Sequence, residues 1–377
     1  MGVAPTRTGS MFEISKMSRK IGASVVGLGG NGMKTVHNAI ESEHIDKLVC
    51  VDIDAQKCQK ARELSGVLVT TSLEEVLADP AIELVYISTH NAAHYPVGKS
   101  ALERGKKVFM EKPMGVNIEQ TEDLLKTVSR TSGWLSIGFE CRHYSKLYAR
   151  IKEILDSGEI GTLRHINCQY VLPPDIESEW RHNSDLSGGI FCEKLCHYVD
   201  LPRWWVGDRV CRYFAAKADN VVPHYEVADN IELTYQFDCG VVSHLSFIVG
   251  AAARVAKYAD MDDLIKKQNE SGYELSYRLV GTEGAIESDI YARELKIYHH
   301  AGKQGFVGMA DLAWVERWGV ADTQKYVHNT ADEKKDVAAR IINGLPPIID
   351  PEDAAETMRL CFAFEEAASK SWQVVER

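Results

Sequence analysis

The chain has 377 residues, with 43 Lys+Arg against 54 Asp+Glu and a formal net charge of −11. That length suggests two domains, and 45% hydrophobic with 26% charged residues is the balance of a folded globular chain rather than a disordered one. The acidic surplus speaks against nucleic-acid binding, which needs a basic footprint, and no apolar run approaches the ~20 residues of a membrane span.

Residues 1–20 lack a continuous apolar core or a twin-arginine pair and read as a loose arm. From residue 21 to about 140, short apolar runs alternate with amphipathic ones. Residues 23–27, 47–52, 84–88, 107–110 and 134–139 read as strands, and 33–43, 56–64 and 118–129 as helices. Such alternation predicts βαβ units, right-handed crossovers and a parallel sheet. After Arg142 the rhythm changes. A helix at 146–156 ends at Gly158, a strand follows at 163–172, and 188–205 reads as helical. Longer alternating strands come next, at 231–237, 241–249, 273–280 and 294–298, with turns at Gly240 and between Gly281 and Gly284. Helices at 336–342 and 351–370 close the chain. The fold class is therefore α/β: a doubly wound parallel-sheet domain over 21–140, then an α+β domain with a largely antiparallel open sheet over 141–377.

Nine cysteines without a C-x-x-C pair read as reduced thiols used as small hydrophobes, and a cytoplasmic location is expected. Cys192, Cys196 and His197 come nearest to a metal cluster, but they lack the ligand number and spacing of a zinc site, so no metal is expected.

Gly27-Leu28-Gly29-Gly30-Asn31-Gly32 matches G-x-G-x-x-G between a strand and a helix, the context in which that spacing cradles a pyrophosphate. Gly27 permits the turn, Gly29 lets the backbone approach the phosphates, and Gly32 lets helix and strand pack closely. Asp52 ends the second strand roughly 25 residues after Gly27, near the ~20 expected of a ribose-binding carboxylate. Ile53, not an arginine, follows it, which favours NAD over NADP. Glu111-Lys112-Pro113 lies at the carboxyl end of a strand, where open α/β sheets bind ligands. A lysine before proline is biased to extended backbone, and a Lys-Pro bond can be cis. Glu193 and His197 are four apart and should share one helical face. Asp200 follows three later, and an imidazole there is suited to accept a proton near neutrality.

Taken together with Thr89-His90-Asn91-Ala92-Ala93-His94, Gly138-Phe139-x-x-Arg142 and Trp180-Arg181, these segments resemble the Gfo/Idh/MocA oxidoreductases from residue 21 to the last helix. The resemblance implies nicotinamide-dependent oxidation or reduction of a ring carbinol in a sugar, cyclitol or glycoside, with 21–140 as a Rossmann NAD-binding domain and 141–377 as the domain for substrate binding and oligomerisation. In that scheme Lys112 stabilises alkoxide charge, His197 is the general base and Glu193 orients the substrate or the histidine. Gly30, Asn31, Thr89, Asn91, His94 and Glu111 would join the cofactor site, and Arg142, Trp180 and Arg181 would line the substrate cleft. A homodimer or homotetramer is implied as well, built through the free face of the second sheet, which would need an apolar cover. Two departures stand out: Glu193 replaces an aspartate common in the family, and His90 replaces the usual proline. Two alternatives share the same residues. One is redox-neutral glycoside cleavage by oxidation, elimination and reduction; the other is a non-catalytic dinucleotide and sugar sensor.

Overall fold

The computed structural model describes residues 19–172, 179–249, 274–303 and 306–370; the expected arm lies outside the described residues except for Arg19 and Lys20. β1 (Ile21–Val26), β2 (Ile45–Val51), β3 (Val67–Thr70), β4 (Ile82–Ile87), β5 (Lys107–Glu111) and β6 (Leu135–Gly138) form one parallel sheet in the order β3-β2-β1-β4-β5-β6. This is the doubly wound Rossmann order, whose strand order reverses between β1 and β4. Every residue of β1 is buried, as expected of a central parallel strand covered on both faces. The helices Gly30–Ile40 and Asn91–Glu103 start directly beyond β1 and β4, so both N-termini open onto the same crevice.

β7 (Leu163–Leu172), β8 (Val210–Ala216), β9 (Asn230–Phe237), β10 (Val242–Val249), β11 (Glu274–Gly281), β12 (Gly284–Asp289), β13 (Glu294–Lys303) and β14 (Phe306–Arg317) form the second sheet. Its order is β14-β13-β12-β11-β7-β10-β9-β8, antiparallel except where β10 runs parallel to β7. Alternation does the sorting. On β9, Ile231, Leu233, Tyr235 and Phe237 point into the core, while Glu232, Thr234 and Gln236 face away. The covered face packs on helices Lys146–Ser157, Cys196–Val206 and Pro351–Ala368, with Trp205 edge-on to Tyr277 at 5.0 Å and Tyr235 against Phe364 at 5.4 Å.

Several expectations change. β3, β8, β12 and β14 were not anticipated: β3 has four residues, and β8 is an edge strand with Tyr213 and Phe214 exposed. The middle of the second sheet's free face is polar: His165, Asn167, Gln169, Arg278, Glu287 and Lys296 form a trough there. The helix Thr330–Ile342, placed by sequence in the second domain, buries Val337, Ala338 and Ile341 in the core that includes Val25, Val36 and Tyr86 of the nucleotide half. All nine cysteines are free. Among the described residues no helix is long and apolar enough to cross a membrane.

Candidate active site

The glycine loop is shaped by contacts that only glycine tolerates. Gly27 has φ +92°, and a Cβ there would lie 2.7 Å from the Ser88 carbonyl oxygen; a Cβ on Gly32 would lie 1.8 Å from the Gly27 carbonyl oxygen. Gly29 and Gly30 face open space. The helix beginning at Gly30 has no side-chain cap and no acid in its first turn, so its free N–H groups and positive dipole end remain for an anion. Asp52 is buried at the end of β2, where Oδ2 accepts from Leu28 N at 2.7 Å and Oδ1 from Asp54 N at 2.9 Å. The loop therefore fits a dinucleotide diphosphate. Beside Asp52, Ile53 is 94% exposed.

From this loop a cleft of about 550 Å³ runs into the second domain. Gly30, Asn31, Thr89, Asn91, His94, Glu111 and Lys112 line it from the nucleotide side, and Trp180, Arg181, Glu193 and His197 from the other. Asn91 Nδ2 donates to the Ser187 carbonyl at 2.8 Å, joining the two sides. His94 lies between the carbonyls of Pro113 (2.8 Å) and Thr89 (3.1 Å), and burial lowers its pKa. His90 caps the same helix, with its ring 6.4 Å from that of Trp180.

Lys112 precedes a cis proline, and its Nζ donates to the Glu193 carbonyl. Burial works against its charge, but Cys196, Glu193 and Glu140 more than offset that and hold the ammonium above its ordinary range. Lys112 is thus a cation at neutral pH. The helical stretch on the other wall starts later than its sequence suggests, because Gly188 and Gly189 take φ +80° and +90°. Its first turn, Phe191–Leu195, is a π-helix, followed by the α-helix Cys196–Val206; such turns cluster at functional sites.

His197 is buried. Burial drives its pKa down to about 4, with Glu140 pulling upward and Lys112 and His328 adding to the fall. It is therefore neutral at pH 7, as a proton acceptor must be. Its Nε2 lies 4.0 Å from Glu140 Oε2, and Glu140 Oε1 lies 2.8 Å from His328 Nδ1.

Three expectations are revised. Arg142 does not line the cleft: its guanidinium is committed to Asp200 (Nε to Oδ2, 2.6 Å) and Asp353, in a network with Arg203 and Thr357. Glu193 does not orient His197; its carboxylate pairs with Arg181 at 3.2 Å. Asp200, held by Arg142, is likewise no partner for the imidazole. Cys192 and Cys196 are buried thiols, Cys196 pushed up to about 11 chiefly by burial. Among the described residues, the donors that come within metal-ligand reach of one another are Glu140, Cys141 and His197. Sequence reasoning passed over Lys34, Glu140, Tyr170, Tyr198, Gln324, His328 and Thr330, all of which line the cleft. Glu140 had a usable signal, since it lies two residues past the end of β6 at the carboxyl edge of the sheet; His328 had none.

Residues 21–139 match a family model described as "Oxidoreductase family, NAD-binding Rossmann fold", and residues 148–287 match the GFO/IDH/MocA C-terminal domain. The scyllo-inositol 2-dehydrogenase (NAD(+)) of Bacillus subtilis is 28% identical over 276 residues, 72% of this chain and 74% of its own. The myo-inositol 2-dehydrogenase of Thermotoga maritima is 22% identical over 359 residues, 93% and 97%. A solved levoglucosan dehydrogenase, in complex with NADH and levoglucosan, shares the fold with a TM-score of 0.74 at 18% identity, over 93% of this chain and 98% of that one.

Proposed function

This chain belongs to the Gfo/Idh/MocA family of NAD-binding oxidoreductases, and on that premise we propose that it is a dehydrogenase of a ring carbinol in a sugar, cyclitol or glycoside. One observation carries the reading: Lys112, a stable cation, and His197, a neutral imidazole, line the same cleft next to the glycine loop. NAD supplies the hydride acceptor when bound. The chain's own residues manage the hydroxyl proton and the charge left on oxygen. His197 takes the proton, and the Lys112 ammonium stabilises the developing alkoxide. Glu193 and Arg181, paired across the wall, position the remaining hydroxyls, and Trp180 offers a ring face to the sugar. We assign the cofactor preference to NAD. The Asp52 carboxylate repels a 2′-phosphate, and the next residue is the exposed Ile53 rather than an arginine.

The test is a panel of inositols, monosaccharides and glycosides incubated with excess NAD, following nicotinamide absorbance and product structure together. Stoichiometric NADH and a ketone or lactone product are expected. Glycoside cleavage with no net NADH would replace this reading by the redox-neutral one, and binding without turnover by any class would replace it by a sensor.

A further inference from the structure

The acids around His197 are not equivalent. Asp200, one helical turn further along, is held by Arg142 and also accepts from Thr357 Oγ1 at 2.6 Å. Glu193 is paired with Arg181. Glu333, behind the site on the helix Thr330–Ile342, is fully enclosed with neither carboxylate oxygen hydrogen-bonded, and burial keeps it protonated well above the carboxylate range. Glu140 remains. Burial alone would raise its pKa, but His197, His328 and Lys334 reverse that, so it stays an anion. It leaves β6 at the carboxyl edge of the first sheet, with Oε2 toward His197 Nε2 and Oε1 taken by His328 Nδ1. His328 comes from a segment 188 residues away. Its side chain is 39% exposed, against 5% for Glu140. Cys141 Sγ lies 3.7 Å from the same His328 nitrogen.

We propose that Glu140, clamped by His328, is the counter-ion that makes His197 a competent base, a positioning role that rests on the dehydrogenase reading above. At 4.0 Å from His197 Nε2, Glu140 is beyond hydrogen-bond reach and acts through its charge, which stabilises the imidazolium without the carboxylate itself being protonated. Proton accounting is simple. The substrate hydroxyl proton moves to His197, Glu140 remains a carboxylate, and the Nδ1–H of His328 stays on its nitrogen as the hydrogen bond that fixes the carboxylate. Lys112 and His328 face His197 and oppose its protonation, while Glu140 and Asp200 favour it. Of these two acids, Glu140 is the one whose charge an arginine does not neutralise. His328 is the part of the clamp that reaches water.

The experiment compares Glu140→Gln, Glu140→Asp, His328→Ala and His328→Asn with wild type, using the substrate found by the panel. Glu140→Gln should lower kcat at pH 7 by roughly 10- to 100-fold, with KM and NAD affinity within about twofold. The acid limb of the kcat profile should move to lower pH, and the solvent deuterium isotope effect should grow as proton removal becomes limiting. Glu140→Asp should restore part of the rate. His328→Ala should act in the same direction, and His328→Asn, which keeps a donor, should recover most of the loss. A Glu140→Gln enzyme with unchanged kcat and limb overturns the proposal. Stoichiometric zinc in the purified wild-type protein would also overturn it, since Glu140, Cys141 and His197 would then be ligands. His197→Asn serves as the control. If it leaves the acid limb in place, the dehydrogenase reading of His197 fails; if it removes the limb while Glu140→Gln does nothing, only the clamp fails.

Discussion

The clearest consequence of the buried imidazole concerns acid tolerance. A histidine in water titrates near ~6.5, so at about pH 5 only ~3% of it would be neutral. His197 titrates at about 4 because burial opposes its charged form; at about pH 5, ~90% of it is therefore still able to accept a proton. The folded protein should keep kcat/KM at pH 5 within about twofold of its neutral plateau, where an ordinary histidine base would lose roughly 30-fold. The assay is kcat/KM for the substrate against pH, with folding checked by circular dichroism at each pH, for wild type and His197→Asn. The variant should lose ~10²–10⁴-fold in kcat/KM together with the acid limb. On the alkaline side Lys112 is held above its ordinary range, so its deprotonation should cause no fall as pH rises from neutral into the mildly alkaline range. A wild-type limb near pH 6.5 that disappears in His197→Asn would refute the burial argument.

Gly32→Ala should weaken NAD binding at least tenfold, about 1.4 kcal/mol, because the new Cβ would lie 1.8 Å from the Gly27 carbonyl and must push helix from loop; unchanged affinity by calorimetry would mean the loop is not the diphosphate site. Glu333 has its folded-state pKa raised by burial, so its contribution is complete at low pH and is lost as pH rises through that raised value. Glu333→Gln should accordingly raise Tm at about pH 8 and much less at about pH 4.5; an equal shift at both would place the effect in packing instead. Arg142→Met breaks a buried pair with Asp200 and should cost about 3–5 kcal/mol of stability in urea melts, and a neutral result would remove the network from the account of the fold.

Much of this was legible because some constraints are local. The glycine loop is written in sequence because Gly27 needs a left-handed backbone and Gly32 cannot carry a Cβ. Asp52 and Glu111-Lys112-Pro113 could be placed because strand ends in a parallel sheet converge on one edge. The remaining features are tertiary. Whether Arg142 faces a cleft or an acid depends on where Asp200 and Asp353 fall, and those lie on two helices distant in sequence. Four-residue spacing put Glu193 and His197 on one face, but left-handed Gly188 and Gly189 delay the helix, its first turn is π, and Glu193 pairs with Arg181. Glu333 and Lys334 look like the solvated side of an amphipathic helix; packing against the nucleotide half buries both and brings Lys334 Nζ 2.7 Å from Glu111. The polarity of the second sheet's free face could have been read from His165, Asn167 and Gln169, which alternate with the buried Ile166 and Cys168 on β7.

Single-turnover hydride transfer in Lys112→Ala addresses the ammonium and imidazole in one cleft most directly. Enzyme saturated with NAD is mixed with substrate in a stopped-flow instrument, and NAD affinity is measured separately by calorimetry. NADH formation should slow by at least ~10²-fold, a loss of about 2.7 kcal/mol in transition-state stabilisation, while the Kd for NAD stays within about threefold. A hydride-transfer rate equal to wild type, or a loss confined to NAD binding, would contradict the assignment of Lys112 to the reacting oxygen.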